Sequence, residues 1–228
     1  MSERLVIPDR GEAESELSVA HPWWQFSARF NVAVSQSVPV ARIHGRETEG
    51  VMMRWGLVPA AAKGDVARPG YAHLKSDALQ SSQEFRTAWV FGQRGIVPLA
   101  GFYLWQRTRA GHRQPYYVRL VERVVFGVAV LWERSVTDHD DVIESCALLT
   151  VPANPLLADI DPTTQQMPAI LRRQDYDTWL RSTVSEAAEL LMTYPQTRMV
   201  SHPVAPFVNH LKFDEPRLIR PEARDSAQ

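Results

Sequence analysis

The chemically informative groups of this chain are few and scattered. Ser2 follows the initiator methionine and is small enough for that methionine to be removed, which would leave a free α-amine able to condense with an aldehyde to an imine. Its hydroxyl is a far poorer ring-closing nucleophile than a thiolate near neutral pH, so any adduct would be a reversible imine; the alternative is a solvated terminus with no chemistry. His73 titrates near neutrality or is only a polar residue at a strand end, and Lys75 beside it supplies a cation. Asp161 offers a base, or caps a turn in the segment Ile160-Asp161-Pro162-Thr163-Thr164. The chain has one cysteine, Cys146, inside the apolar run Ser145-Cys146-Ala147-Leu148-Leu149; it reads as a core thiol, intrachain disulfides are impossible, and a reducing compartment is implied. His202 and His210 have no metal-ligand spacing with any cysteine, so neither a metal nor another cofactor is expected.

The elements that must hold these groups read mainly as strands. Val38–Ile43, Val51–Val58, Arg94–Trp105, Pro115–Leu120, Val124–Leu131 and Ser145–Val151 are short, apolar or alternating runs rich in β-branched and aromatic residues. Gly64, Pro69-Gly70, Ala110-Gly111 and Thr137–Asp141 punctuate them. Helical patterns are fewer: Ser76–Trp89 with a serine cap, Arg173–Leu180 with Tyr176, Trp179 and Leu180 on one face, and Thr183–Met192 with Thr183 and Glu186 spaced as a capping box. Helices that interrupt strands without alternating with them favour an α+β fold with an antiparallel or mixed sheet.

With 228 residues, 45% of them hydrophobic, the chain can bury one substantial core, and a second domain is not required. Twenty-five basic and 26 acidic residues give a net charge of -1, so any nucleic-acid site must be a local patch. The first residues lack the apolar region of a signal peptide and no run approaches a membrane span of roughly 18 apolar residues, so a soluble, cytoplasmic protein is expected. The domain is expected to cover residues 1–220, with 221–228 as a disordered tail.

Several separated segments then resemble, in order, one known family. Arg29-Phe30-Asn31-Val32-Ala33, Arg54-Trp55-Gly56-Leu57-Val58-Pro59 and Val97-Pro98 followed by Gly101-Phe102-Tyr103 and Trp105 are similar to SRAP-family signatures. So are Gln114-Pro115-Tyr116-Tyr117, Leu131-Trp132-Glu133, Leu149-Thr150 with Ala153-Asn154, Met167–Leu171, Val200-Ser201 and Val208-Asn209. The resemblance implies a compact domain, a curved, barrel-like mixed sheet with peripheral helices, and a basic groove for single-stranded DNA carrying an abasic site. In that family the residue after the initiator is a cysteine, whose amine and thiol close a thiazolidine on the abasic aldehyde, supported by an asparagine, a glutamate and a histidine.

Carried over one position at a time, all four are replaced. Ser2 takes the nucleophile position, with Arg4 retained after it. His73 takes the asparagine, in the alignment that places Phe85 twelve residues later, and puts Lys75 at a phosphate-contacting arginine. Leu104 takes the glutamate and cannot relay a proton at any pKa; it packs on a sugar or base, or extends the core. Asp161 takes the histidine, in a longer loop without the family's arginine. A tryptophan platform is missing as well, where Ala60-Ala61-Ala62 stand. Arg4, Arg29, Asn31, Arg54, Lys63, Lys75 and Arg86 remain as candidate DNA contacts. Three functions stay open: a single-stranded or abasic-site DNA-binding SRAP protein of the DNA damage response without crosslink chemistry; an abasic-site lyase acting through the Ser2 amine; and a non-catalytic module for a protein or small molecule. A monomer is the expected state.

Overall fold

The structure is a computed structural model that describes residues 4–59, 71–108, 111–136 and 140–222. In chain order its strands are β1 (Arg4–Ile7), β2 (His21–Pro22), β3 (Arg29–Ala33), β4 (Ser37–His44), β5 (Glu47–Trp55), β6 (His73–Lys75), β7 (Arg94–Leu99), β8 (Gly101–Arg107), β9 (Arg113–Leu120), β10 (Phe126–Val136), β11 (Val142–Pro152), β12 (Gln166–Pro168) and β13 (Met199–Pro203). Its α-helices are α1 (Arg10–Leu17), α2 (Arg86–Val90), α3 (Pro155–Ile160), α4 (Tyr176–Arg181) and α5 (Val184–Glu189).

Strands β11, β10, β7, β4 and β5 pair in that order, and β5 returns to β11 through the parallel pairs Arg54–Ser145 and Trp55–Cys146. The result is a closed five-stranded barrel, which removes the open edges of the sheet. A second sheet, ordered β13-β9-β8-β1-β3, is wholly antiparallel between neighbours. β12 and β6 attach to β11, and β2 to β5. The α+β, mostly antiparallel, barrel-like architecture read from the sequence is therefore the one the chain adopts.

Burial explains why these runs became strands. All of β7 is buried, because it belongs to the barrel on one side and receives α1 and α4 on the other. Trp24, Trp55, Trp89 and Trp179 are almost completely enclosed, and the indole N–H groups of Trp55 and Trp179 donate to Ala72 O and Gly95 O at 2.9 Å. Gly101 is required by close approach: a Cβ there would lie 2.3 Å from the Tyr117 ring. Cys146 is fully buried, which pushes its thiol up to about 12.

Several boundaries differ from the sequence reading. The single run Arg94–Trp105 divides at Ala100, whose N–H donates to Val6 O, so β7 stays in the barrel while β8 joins the second sheet. The expected helix Ser76–Trp89 is instead a 3-10 turn over Ser76–Ala78 and, separately, α2; no side chain caps either piece. α1 was not expected, although Asp9 and Glu12 form a capping box at its start. The predicted box of Thr183 and Glu186 is present at α5, and Tyr176, Trp179 and Leu180 are the buried face of α4. Pro221 bridges Val204 and Glu222 N donates to Pro203 O, so these two residues of the expected tail pair with the fold; 223–228 lie outside the described residues.

Tyr176 is the tie between α4 and the barrel: its hydroxyl accepts from Gly127 N at 2.7 Å and donates to Glu16 at 2.8 Å. Tyr176→Phe keeps the ring but leaves the buried Gly127 N–H without an acceptor. Equilibrium urea unfolding should show a loss of about 1–3 kcal/mol with an unchanged m-value.

Candidate nucleic-acid interface

A cleft of about 500 Å³ opens between the β8–β9 hairpin and the loop that follows α3, lined by Leu104, Trp105, Gln106, Arg107, Arg113, Asp159, Asp161, Pro162, Thr163 and Thr164. One wall is set by α3. Asn154 caps it by accepting from Leu157 N at 3.1 Å and donating to Tyr194 O at 2.8 Å, and Pro155 occupies its first position. Leu157 and Ile160 bury the inner face, so the chain leaves the helix at Asp161, whose N–H donates to Leu157 O at 3.0 Å.

The Asp161 carboxylate organises the loop after it. One oxygen accepts from Thr163 Oγ1 at 2.5 Å and Thr163 N at 3.3 Å, the other from Thr164 Oγ1 at 2.9 Å. Burial raises its pKa, but these hydrogen bonds favour the anion and leave it below the ordinary value of 3.8. The turn-capping reading of Asp161 is thus met by the geometry, while the carboxylate still lines the cleft.

The other wall is the hairpin. Leu104 is 2% exposed and stands opposite Tyr116 in the β8–β9 register. Trp105 donates from its indole to Asn209 Oδ1 at 2.8 Å, and the Arg113 guanidinium lies 5.7 Å from its ring centroid. Arg107 and Arg113 face each other directly across the pair of strands and are both exposed. Like charges so placed destabilise a hairpin unless an anion lies between them. A phosphodiester would relieve that repulsion, and Trp105 would offer an apolar surface beside it.

The structure brings Leu104 and Asp161 together at this cleft. His73 is not among its lining residues: it pairs with Leu148 from β6 and its ring meets Trp55 edge-on, with centroids 5.7 Å apart. Lys75, exposed two residues on, lies opposite Thr150, whose hydroxyl bonds Gln166 at 2.9 Å near the end of the Asp161 loop. Arg4 opens β1 opposite Ala33, and the β1–β8 register turns that end of β1 toward Leu104. Ser2, Lys63 and Ala60–Ala62 lie outside the described residues.

Two expected DNA contacts are otherwise engaged. Asn31 is 1% exposed, and its side-chain amide donates to Val208 O, His210 O and Phe213 O at 2.9–3.2 Å. Arg29 forms an ion pair with Asp214, which also accepts from Phe30 N at 2.5 Å and Asn31 N at 3.0 Å. Both positions fasten the C-terminal segment to β3. Arg54 braces the end of β5, donating to Gly56 O at 3.1 Å and Ser35 Oγ at 3.0 Å, and burial lowers its pKa. Arg86 is exposed at the start of α2, next to Phe85, whose ring meets Tyr71 edge-on at 4.7 Å.

Arg107, Arg113 and Gln106 were not picked out from sequence. The signal was the spacing of basic residues around the Ala110-Gly111 turn, which a hairpin gathers at one tip. Among the described residues no group of three or more His, Cys, Asp or Glu could hold a metal ion, and no helix is long and apolar enough to cross a membrane.

The barrel with its second sheet, and a cleft between the β8–β9 hairpin and the loop after α3, define a class. A family model described as SOS response associated peptidase (SRAP) matches residues 6–211, and the chain belongs to that family. It is 27% identical over 201 residues to the abasic site processing protein YoqW of Bacillus subtilis (strain 168), an alignment covering 87% of this chain and 88% of that one. It is also 27% identical over 202 residues to the abasic site processing protein HMCES of Rattus norvegicus, covering 74% of this chain and 56% of the longer relative. Crystal structures of proteins from Bordetella bronchiseptica and Bacteroides thetaiotaomicron share the fold. The first has a TM-score of 0.79 at 22% identity, covering 90% of this chain and all of that one; the second has 0.77 at 23%, covering 85% of each.

Two measurements follow from these contacts. Because the folded-state pKa of Asp161 is depressed, its stabilisation is present above the unfolded pKa and disappears as pH falls through the folded one. Urea unfolding should therefore find Asp161→Asn less stable than the parent at neutral pH, with the difference vanishing below the ordinary carboxylate range. Asn31→Ala should cost roughly 2–4 kcal/mol, since three carbonyls lose a buried donor, and limited proteolysis should then cut within 208–214 first.

Proposed function

We propose that this SRAP protein binds abasic-site DNA in the single-stranded form and does so without forming the family's thiazolidine crosslink. The observation that carries the reading is Leu104. At the position that resembles the family's glutamate stands an apolar side chain, 2% exposed, packed in the wall of the cleft where a proton relay would be needed. Of the two carboxylates that line the cleft, Asp159 and Asp161, the one at the position resembling the family's histidine, Asp161, is held as an anion by two threonines and already accepts hydrogen bonds on both oxygens. Ser2 supports the same conclusion from the sequence: its α-amine could condense with the abasic aldehyde, but its hydroxyl is a far poorer ring-closing nucleophile than a thiolate.

Binding, in contrast, is supported. The names of the curated relatives concern abasic sites. Arg107 and Arg113 present two guanidinium groups at one edge of the cleft and Trp105 an aromatic face, while Arg4 and Lys75 add charge on β1 and β6. Phosphate contacts of this kind fix a strand without reading its bases, which suits recognition of a nucleotide that has lost its base.

The test pairs binding with trapping. The Met-processed protein should bind an abasic single strand with an affinity that falls with salt, by a slope of roughly 0.7 per phosphate neutralised. Borohydride should leave no covalent adduct on a denaturing gel, while the triple variant Ser2→Cys, Leu104→Glu, Asp161→His should give one. An adduct from the unmodified protein would establish imine chemistry at the Ser2 amine and overturn the non-catalytic reading. Absence of any salt-dependent binding would overturn the DNA reading altogether.

A further inference from the structure

A second basic depression lies at the other end of β9. Arg123, Arg172, Arg173 and Arg198 line a pocket of about 210 Å³ together with Glu122 and Tyr194. Arg113 in the cleft and Leu120 in this pocket are seven residues apart on one strand, about 24 Å at roughly 3.4 Å per residue, so the two sites do not overlap. The four arginines arrive from three places in the chain. Arg123 follows β9. Arg172 and Arg173 precede α4. Arg198 ends the 3-10 turn that leads into β13, where its carbonyl accepts from Val121 N at 3.0 Å.

Their charges are unequally engaged. Arg123 pairs with Glu16 and donates to the Tyr176 hydroxyl at 2.7 Å, and Arg172 pairs with Asp175 at 2.6 Å. Arg173 has a neutral partner, Ser15 O at 3.1 Å, and no carboxylate partner among the described residues. Neither the Arg198 guanidinium nor the Tyr194 hydroxyl has a hydrogen-bonding partner among the described residues. The one lining carboxylate is the exposed Glu122. Two guanidinium groups without a carboxylate partner, an unused phenol donor and two further arginines held in place by their own ion pairs form a donor set with a net positive balance and planar, bidentate geometry. The chemistry that matches it is an oxyanion with several acceptor oxygens.

We propose that this pocket is a phosphoryl-binding site, separate from the abasic-site cleft, that takes either free phosphate or a backbone phosphate of the bound strand beyond the lesion. The second source rests on the DNA-binding reading above; the first does not. Arg173 and Arg198 are the recognising groups, and Arg123 and Arg172 set the local field.

The probe is inorganic phosphate, added at constant ionic strength maintained with chloride, and the readout is the arginine side-chain Nε–Hε signals in a 1H–15N spectrum. Saturable shifts of the Arg173 and Arg198 signals are expected, with all response at this pocket lost in the double variant Arg173→Ala, Arg198→Ala. Both side chains are exposed, so the variant should unfold at the parent's temperature. In the second arm the same variant binds abasic single strands of about 4 and about 12 nucleotides. A salt slope reduced by roughly 1.4 for the longer strand alone identifies the backbone as the source; an unchanged slope with a lost phosphate response identifies free phosphate. Unmoved arginine signals together with unchanged slopes overturn the proposal. Retained binding of the short strand in the variant shows that the cleft still works, and the phosphate arm reads the pocket even if no DNA binds at all.

Discussion

Two residue pairs, Arg54 with Ser145 and Trp55 with Cys146, turn a sheet into a barrel. β5 and β11 are the only barrel neighbours that run parallel, and they meet after about 90 residues of intervening chain, across the greatest sequence separation in the barrel. Everything else at that end is hung on this closure. Gly56 N donates to Cys146 O at 2.8 Å, Val58 N donates to Ser145 Oγ at 2.9 Å, and the Trp55 indole reaches Ala72 O, which in turn accepts from Leu148 N and positions His73. β11 then continues to Thr150 and Pro152, where β12 and the Asp161 loop attach. The cleft thus inherits its shape from a seam on the far side of one strand.

What the sequence made legible follows the strength of local patterns. β10 and β11 are long, rich in valine and leucine, and buried along most of their length, so their existence did not depend on knowing their partners. β1, β6 and β12 have four, three and three residues, too few for a period to emerge. The helix Arg10–Leu17 buries only Ala13 and Leu17, and its charged remainder hides an otherwise clear cap at Asp9. The passage from β7 to β8 is invisible because the residues on both sides of Ala100 are equally apolar; only the pairing with Val6 divides them.

The site shows the same division. Asp161 and its threonines lie within three residues of one another, and a turn-capping role was open to sequence reasoning. The commitments of Asn31 and Arg29 were not, since their partners are about 180 residues away and nothing in Arg-Phe-Asn distinguishes a clamp on the protein's own backbone from a contact to a ligand. Arg107 and Arg113 sit between these cases. Their charges are plain in the sequence, but their confrontation depends on a register that sets them opposite each other.

The clamp at Asn31 also bears on the order in which the molecule can be made. β3 is among the first strands to be synthesised, yet its side-chain amide and the backbone beside it wait for Val208, His210, Phe213 and Asp214. Until those residues have left the ribosome, the second sheet has one unlatched edge and the Asn31 amide is satisfied by water alone. Contacts of this span slow folding relative to local ones and place the commitment to the native state late, after nearly all of the matched domain has been translated.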